Sequence, residues 1–264
     1  MGIPMCLIAF AYHVHPDYRL ILAANRDEFY ERPTAPLDLW QDHPTILAGR
    51  DLQQQGTWMG ITPTGRIAAI TNYRDPQNIK SGAPSRGHLV SNFLLTATPP
   101  DLYLASIQRS AELYNGFNLI VGDTTGLFYF SNHAGAVQKL EPGIHGLSNH
   151  LLDTPWPKVE RCKQRLGEII QTSGSISEDR IWELLKDQTP APDDRLPDTG
   201  VDRAWERALS PIFIASPGYG TRCSSIITIN RQGLIHFSEI TWQNDKPTPC
   251  KAVRRSYDLQ IRGV

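Results

Sequence analysis

The order of apolar segments in this 264-residue chain predicts an α+β fold with mainly antiparallel sheets. Runs of strand length occupy the beginning, the middle and the end of the sequence, and two pairs of helix-patterned segments separate them. A "PTG" turn between two of the early runs predicts a β-hairpin, which is an antiparallel pairing. Strands and paired helices in this order favour two packed sheets whose outer faces are covered by helices.

The predicted strands share short apolar runs that end at turn residues. They span Cys6–Tyr12, Leu20–Ala24, Thr57–Thr62, Arg66–Asn72, Phe117–Asp123, Leu127–Asn132, Gly143–Asn149, Cys223–Asn230, Gly233–Trp242 and Lys251–Arg262. No internal repeat or low-complexity segment interrupts them, so we expect one domain over residues 1–264.

The predicted helices carry apolar residues at helical spacing and cover residues 85–97, 100–114, 155–171 and 177–187. Ser85 is the candidate cap of the first helix. Pro157 lies in the opening turn of the third, where a missing N–H costs little. The Pro- and Asp-rich stretch Gln188–Asp202 predicts a long surface loop and a candidate lid.

Charge and composition exclude two classes of partner. The chain has 26 Lys plus Arg against 27 Asp plus Glu, and its net charge of −1 gives no footprint for nucleic acid or an anionic membrane surface. No run of apolar residues is long enough for a transmembrane helix, and the N-terminus lacks the features of a secretory signal. These observations predict a cytoplasmic protein.

The four cysteines are expected to act as single thiols. Cys6, Cys162, Cys223 and Cys250 are scattered without CxxC spacing, which argues against a zinc site and against a disulfide framework. Each of them also has a plain alternative, because free cysteine is commonly a small core residue. No metal site is therefore predicted.

A polar cluster, Asn25-Arg26-Asp27-Glu28, follows directly after the apolar run Leu20–Ala24. Local ion pairs at an exposed strand end would explain it without any function. However, the run before it has the composition of a buried strand, and a buried strand end must satisfy its charges. The cluster is therefore predicted to face a polar cavity.

Five ordered blocks give the chain a resemblance to a known family. They are "MCLIAFAY", "LILAANRDEFYERPT", "GTWMGITPTGRIAAITNYRDP", "GLSNHLLDTPWPKVERC" and "ALSPIFI…YGTRCSS". Together they resemble the NRDE family, also called the transport and Golgi organisation protein family, over nearly the whole chain. That family is remotely similar to N-terminal nucleophile hydrolases of the choloylglycine hydrolase and penicillin V acylase type. The resemblance implies a four-layer α/β/β/α sandwich.

The remote resemblance implies catalytic roles for five residues. Cys6 matches the N-terminal nucleophile, and Asp27 matches the residue that holds its α-ammonium group. Asn72 and Asn149 match the oxyanion donors, and Arg222 matches a late arginine that would lower the pKa of the thiol. On spacing alone, either asparagine also fits a turn or helix cap, and Arg222 also fits a structural ion pair.

Two neighbours of Asp27 are candidate substrate-binding residues. Asn25 lies at the alternate strand position and is expected beside Asp27, facing Cys6. The hydrolase motif has an arginine where this chain has Ala24, and the arginine is displaced to Arg26. Arg26 and Glu28 are expected to point away from Cys6 if the strand continues.

The set predicts a cysteine-dependent hydrolase of a small amide or acyl substrate that needs no cofactor. Its mechanism requires Cys6 to be the first residue, so that its own α-amino group takes the thiol proton. In this chain Met5 precedes Cys6. Two alternatives stay open: binding and trafficking of haem, lipid or acyl-coenzyme A in the same pocket, and an interaction protein with an inactive pocket.

Haem as a ligand raises the question of iron coordination. The candidate ligands are His13, His15, His145 and His150, and isolated histidines on strands are usually structural. The sequence does not address the oligomeric state.

Overall fold

The computed structural model describes residues 5–171, 176–243 and 251–261, apart from the side chains of Gln243 and Lys251. The strands are β1 Met5–Tyr12, β2 Tyr18–Phe29, β3 Thr34–Leu39, β4 Leu47–Asp51, β5 Met59–Ile61, β6 Ile67–Asn72, β7 Phe117–Asp123, β8 Gly126–Ser131, β9 Gln138–Lys139, β10 Gly143–Leu147, β11 Ala215–Ser216, β12 Tyr219–Asn230, β13 Leu234–Gln243 and β14 Lys251–Gln260. The helices are α1 Gly87–Leu95, α2 Pro100–Gln108, α3 Pro157–Ile170, α4 Glu178–Leu185 and α5 Arg203–Ala208.

The strands form two antiparallel sheets within the described ranges. The first sheet has the order β10-β1-β2-β12-β13-β14, with the short β11 paired to β12. The second sheet follows the chain from β3 to β9, so each of its strands pairs with the next one. The predicted α+β class with antiparallel pairing is therefore confirmed, and so is the hairpin of β5 and β6.

Three apolar cores separate four layers. Phe10, Tyr129 and Ile227 belong to the core between the two sheets. A second core packs α3 and α4 on the outer face of the first sheet, and a third packs α1 and α2 on the outer face of the second. Since side chains alternate between the two faces of a strand, each sheet contributes to two cores. The α/β/β/α layering expected from the resemblance is thus confirmed.

Two strands that lie between the polar cluster and the hairpin, β3 and β4, were not predicted from the sequence. The first, β3, carries Pro36, which a central strand would not tolerate because proline has no N–H to donate. Here β3 lies at the edge of the second sheet, where that loss is acceptable. The short helix α5 was also missed, and the helix predicted over residues 100–114 ends at Gln108.

The predicted helix starts have different outcomes. Pro157 is the first residue of α3, as predicted. The Ser85 cap is wrong, because the residue before α1 is Arg86 and no side chain caps the helix.

The strand predicted to end at Arg262 is described only as far as Gln260, and Cys250 lies outside the described residues. No described helix combines the length and apolar character that crossing a bilayer requires.

We expect the outer helix layer to contribute strongly to stability. Leu166 of α3 is fully buried against the first sheet. Leu166→Ala should lower the free energy of unfolding by about 2 to 5 kcal/mol, because the cavity left behind adds to the lost apolar burial. Urea unfolding measures the change. The exposed neighbour Glu168→Ala should shift it by no more than about 0.5 kcal/mol, and equal effects would contradict the packing.

Candidate functional site

A cavity of ≈ 270 Å³ lies between the two sheets, at the end of β2 that carries the polar cluster. The first sheet contributes Cys6, Arg26 and Cys223 to its wall. The second sheet contributes Trp58 and Asn72, and the residues at the start of α1 close another side. Polar and apolar surfaces therefore meet around one concave space, as in small-molecule sites.

Strand register sets the order of the groups on the first sheet. Arg26 of β2 lies opposite Cys6 of β1 on one side and opposite Cys223 of β12 on the other. All three share the face that carries the core between the sheets. Since neighbouring strands are about 4.8 Å apart, the backbones of Cys6 and Cys223 lie about 10 Å from each other. That backbone separation is too large for a disulfide, and both cysteines are free.

The opposite face of the same strands carries Asp27. Its register partner is Met5, not Cys6, so the expectation that the Asp27 side chain faces the thiol is wrong. Asp27 Oδ1 accepts a hydrogen bond from the Thr221 hydroxyl at 2.7 Å. Asp27 Oδ2 is buried and has no hydrogen-bond partner among the described residues. Asp27 still borders the cavity, and its backbone is among the groups that lower the pKa of the Cys6 thiol.

Asn25 is not a cavity residue, which corrects its predicted substrate-binding role. Its amide donates to the carbonyl oxygens of Leu185 at 2.9 Å and Ile212 at 2.8 Å. Its Oδ1 accepts from the Ser224 hydroxyl at 2.6 Å. The physical reason is strand alternation, which places Asn25 towards the helix layer of α4. It ties that layer to the sheet.

Arg26 and Glu28 point towards the cavity, which is the reverse of the predicted orientation. Both border it and form an ion pair at 3.6 Å. Glu28 also lies 3.6 Å from Arg32, at the turn after β2. Arg26 is thus placed where a ligand would contact it, and its substrate-binding role stays a prediction.

The two predicted oxyanion asparagines occupy different positions. Asn72, at the end of β6, borders the cavity. Asn149 is fully buried and is absent from the cavity wall, and its amide donates to the Asn72 carbonyl at 2.8 Å. The neighbouring Ser148 hydroxyl donates to the Cys6 carbonyl at 3.0 Å. Asn149 therefore supports the strand ends behind the cavity.

Arg222 borders the cavity in a bulge where the register of β12 with β2 shifts. Its Nη1 donates to the backbone carbonyls of Phe29 at 2.7 Å and Arg32 at 3.0 Å, which fixes the turn after β2. The charge of Arg26 lowers the pKa of the Cys6 thiol, against the larger effect of burial. The predicted effect of Arg222 on that pKa stays a prediction.

Met5 sits among buried charges on the helix-facing side of the sheet. Its backbone N–H donates to the Tyr219 hydroxyl at 2.7 Å, and its side chain is fully buried. Arg74 Nη2 lies 2.9 Å from the Met5 sulfur, while Arg74 Nη1 donates to Glu206 at 2.5 Å. An apolar thioether thus fills a space walled partly by ionised groups.

Lys158 of α3 is a further buried charge near Asp27. Its Nζ donates to the Leu209 carbonyl at 3.0 Å. Burial raises the pKa of Asp27 to about 7 against the opposing effect of Lys158, and burial lowers the pKa of Lys158 to about 8 against that of Asp27. Burial thus opposes the charged forms of both groups, while the attraction between Asp27 and Lys158 favours those forms.

The Cys6 thiol is neutral at physiological pH. Its side chain is 7% exposed, and burial raises the pKa of the thiol from 9.0 to about 12. The negative charge of Asp27 contributes to this rise in the pKa, and the positive charge of Arg26 opposes it. Because the Cys6 nitrogen belongs to the peptide bond with Met5, this chain has no α-amino group there to act as a base.

Sequence reasoning missed Arg86, Lys158 and Glu239. Arg86 stands in the polar "PSRG" turn and Lys158 in an amphipathic helix, so both have the pattern of surface residues. Glu239 borders the cavity and accepts a hydrogen bond from the Leu37 N–H at 2.8 Å, which joins the two sheets. The one signal in the sequence was that Glu239 is an acidic residue inside an apolar strand.

The histidines and the predicted lid lie elsewhere. None of the cavity-lining residues is a histidine, and the described residues contain no cluster of three or more metal-ligating side chains. His145 pairs with Asp153, and His150 contacts the Tyr73 hydroxyl. The loop Gln188–Asp202 does not border the cavity, and Thr199 ties it to Glu206, so the lid expectation is wrong.

The buried thiol gives a pH prediction. Alkylation of Cys6 by iodoacetamide should keep rising by about tenfold per pH unit up to pH ~10, because a pKa of about 12 leaves the thiol protonated. In the unfolded chain the rate should level off above pH ~9. Peptide-resolved mass spectrometry measures both rates. A plateau below pH ~9 in the folded protein would show that the thiol is activated.

The chain is similar to the structure of the Caenorhabditis elegans N-acylethanolamine-hydrolyzing acid amidase ortholog, with a TM-score of 0.47 and 10% identity, over 84% of this chain and 92% of that one. A likeness of this size supports nothing about activity.

Sequence relatives are much closer. The chain is 34% identical over 276 residues to the bovine Transport and Golgi organization protein 2 homolog, covering 97% of this chain and 100% of the relative. It is 37% identical over 255 residues to the human homolog, covering 89% and 92%. The family profile of Transport and Golgi organisation 2 matches residues 5–244. The resemblance carried by the five sequence blocks is confirmed, and the chain belongs to the Transport and Golgi organisation 2 family.

Proposed function

We propose that the cavity binds a small organic ligand of the lipid, acyl or haem type, and that the chain does not hydrolyse it while Met5 precedes Cys6. The observation that carries this proposal is the cavity itself, with Cys6 on its wall as a neutral thiol. Nucleophilic attack needs a thiolate or an adjacent base. Neither a lining histidine nor a free α-amino group supplies one in this chain.

The wall chemistry suits a ligand with an apolar body and a polar group. Trp58, Ile70 and Pro36 give apolar surface, while Arg86 and Arg222 give donors. A volume of ≈ 270 Å³ is slightly below the range of about 300 to 1,000 Å³ typical of drug-sized ligands. A long acyl chain or a haem would therefore enter only in part.

Haem fits this donor set in one respect. Arginine guanidinium groups match its carboxylates, whereas burial raises the pKa of the Cys6 and Cys223 thiols and so disfavours the thiolate form that would ligate iron. When bound, haem would supply its iron chemistry. The protein's contribution would be to hold the carboxylates and shield the ring from water. A cytoplasmic location for this binding function stays a prediction.

Hydrolysis is a second candidate, favoured by Asp27 Oδ2, a buried carboxylate oxygen without a partner among the described residues. In a chain that begins at Cys6, an α-amino group with a pKa of about 7.7 to 8.0 would replace the peptide nitrogen beside this carboxylate. It would take the thiol proton, and the thiolate would attack the acyl carbon. Asn72 on the cavity wall would then be a donor for the oxyanion.

Binding is tested by tryptophan fluorescence during titration with haem and with palmitoyl-coenzyme A. Trp58 borders the cavity, so a ligand there should quench its emission and saturate near one equivalent. Trp58→Phe should lose most of the quenching, because the reporting indole is gone. Trp205→Phe is the matched control, since Trp205 is half-buried in the Met5 cluster. Quenching that survives Trp58→Phe would place the ligand elsewhere, and no saturable change would refute the binding function.

Hydrolysis is tested by comparing the full chain with a chain whose first residue is Cys6. Only the second should turn over a panel of acyl amides, and Cys6→Ala in that chain should abolish turnover because the nucleophile is missing. Circular dichroism checks that both chains fold without the buried Met5. An inactive Cys6-first chain that folds, or activity that survives Cys6→Ala, would exclude this mechanism.

A further inference from the structure

The N-terminus of α1 borders the cavity. Ser85, Arg86 and Gly87 all contribute to its wall, and α1 runs for nine residues from Gly87. The first turn contains no acidic residue, and no side chain caps it. The partial positive charge that a helix carries at this end is therefore not offset by the helix itself.

Two of the five cavity arginines are paired with carboxylates inside the wall. Arg26 lies 3.6 Å from Glu28, and Arg32 lies 3.6 Å from Glu28 and 2.6 Å from Asp51. Their charges are largely compensated by these neighbours. A ligand anion would have to compete with the existing pairs.

Two further arginines are also committed. Arg50 forms two hydrogen bonds of 2.7 Å with Asp42. Arg222 uses Nη1 for the two backbone carbonyls that hold the turn after β2. Arg50 therefore has a counter-ion, and Arg222 is held in place by the turn that it stabilises.

Arg86, like Arg222, pairs with no carboxylate among the described residues, but it makes one backbone hydrogen bond instead of two. Its Nη1 donates to the Gly116 carbonyl at 2.7 Å. Arg86 is half-buried, and burial lowers the pKa of its guanidinium to about 10, while the charged forms of Cys6 and Glu28 would oppose that shift. A desolvated guanidinium with donors left over is costly unless an anion satisfies it.

Backbone packing fixes where Arg86 stands. Gly56, in the turn before β5, touches the backbone of Gly87 so closely that a Cβ on Gly56 would lie 2.7 Å from the Gly87 carbonyl carbon. A Cβ on Gly87 would lie 3.2 Å from the Thr57 carbonyl oxygen. The start of α1 is thus held against the second sheet, and the guanidinium tip of Arg86 is anchored by the Gly116 carbonyl.

We propose that Arg86 and the N-terminus of α1 form an anion subsite that holds a carboxylate or phosphate group of the ligand close to Cys6. Guanidinium N–H groups and a helix N-terminus both favour such oxygens, and here they meet on one cavity wall. The subsite rests on the proposed binding function and adds that the ligand must carry a negative charge. Arg86 is a specificity residue, which orients the charged end and leaves the apolar part against Trp58.

The first test uses two alkylating reagents that differ mainly in charge. In the wild type, the ratio of Cys6 alkylation by iodoacetate to that by iodoacetamide should exceed the ratio for the unfolded chain. Arg86→Gln should lower the ratio about tenfold, the effect expected from losing one charge-assisted hydrogen bond. Any change in the thiol pKa alters both rates equally and cancels in the ratio. Arg109→Gln removes the same charge from an exposed position of the chain and should leave the ratio unchanged.

The second test asks which anion is held. Octanoate, octyl phosphate and neutral octanol are compared as protectors of Cys6 against iodoacetamide. Protection by one or both anions that weakens about tenfold in Arg86→Gln, with octanol unaffected, supports the subsite and identifies its preferred group. Arg86→Lys should recover part of the protection, because it restores the charge without the forked geometry.

Four results would overturn the subsite. Equal loss of anion and octanol protection in Arg86→Gln would show that the residue only maintains structure. An unchanged iodoacetate to iodoacetamide ratio in Arg86→Gln would show that no anion is recruited. Protection by octanol alone would refute the anion subsite and leave the binding function standing, whereas protection by none of the three would count against both. Thermal unfolding of Arg86→Gln and Arg86→Lys confirms that each variant is folded.

Discussion

The antiparallel register of β1, β2 and β12 is the constraint on which the rest of the site depends. It places Cys6, Arg26 and Cys223 on the face between the sheets. The same register places Met5 and Asp27 on the face that meets the helices. A slip of one residue would exchange the two sets, because side chains alternate along a strand. The thiol and the carboxylate therefore lie on opposite faces of the sheet, and the charge of Asp27 still raises the pKa of the thiol.

Burial explains why this chain combines a candidate nucleophile with an inert thiol. Removing Cys6 from water favours its neutral form, and the nearby carboxylates add to that preference. On the other side of the sheet, Arg74 and Glu206 satisfy each other around the Met5 side chain. A buried ion pair contributes little net stability, so we interpret the Arg74–Glu206 pair as a polar environment around residue 5 and not as a stabilising contact. Met5 occupies that environment in this chain, which links the identity of the residue before Cys6 to the surroundings of the thiol.

The second sheet completes the cavity through close backbone contact. Glycine at positions 56 and 87 lets the start of α1 approach the turn before β5, and a side chain at Gly56 would push them apart. Glu239 joins the sheets on another side of the same space through the Leu37 N–H. The cavity therefore keeps its shape through polar and backbone contacts, while the apolar core between the sheets fills the rest of the interface. The functional surface belongs to neither sheet alone.

The sequence by itself determined the α+β class, most strands and helices, the family, and the choice of Cys6, Arg26, Asn72 and Arg222 as cavity residues. Those features depend on local periodicity and on ordered motifs, which one chain displays directly. The faces of the polar cluster, the position of Asn149 and the importance of Arg86 were decided only in three dimensions. Strand register, a bulge and the contact of two distant glycine turns set them, and none of these leaves a local signal in the order of residues.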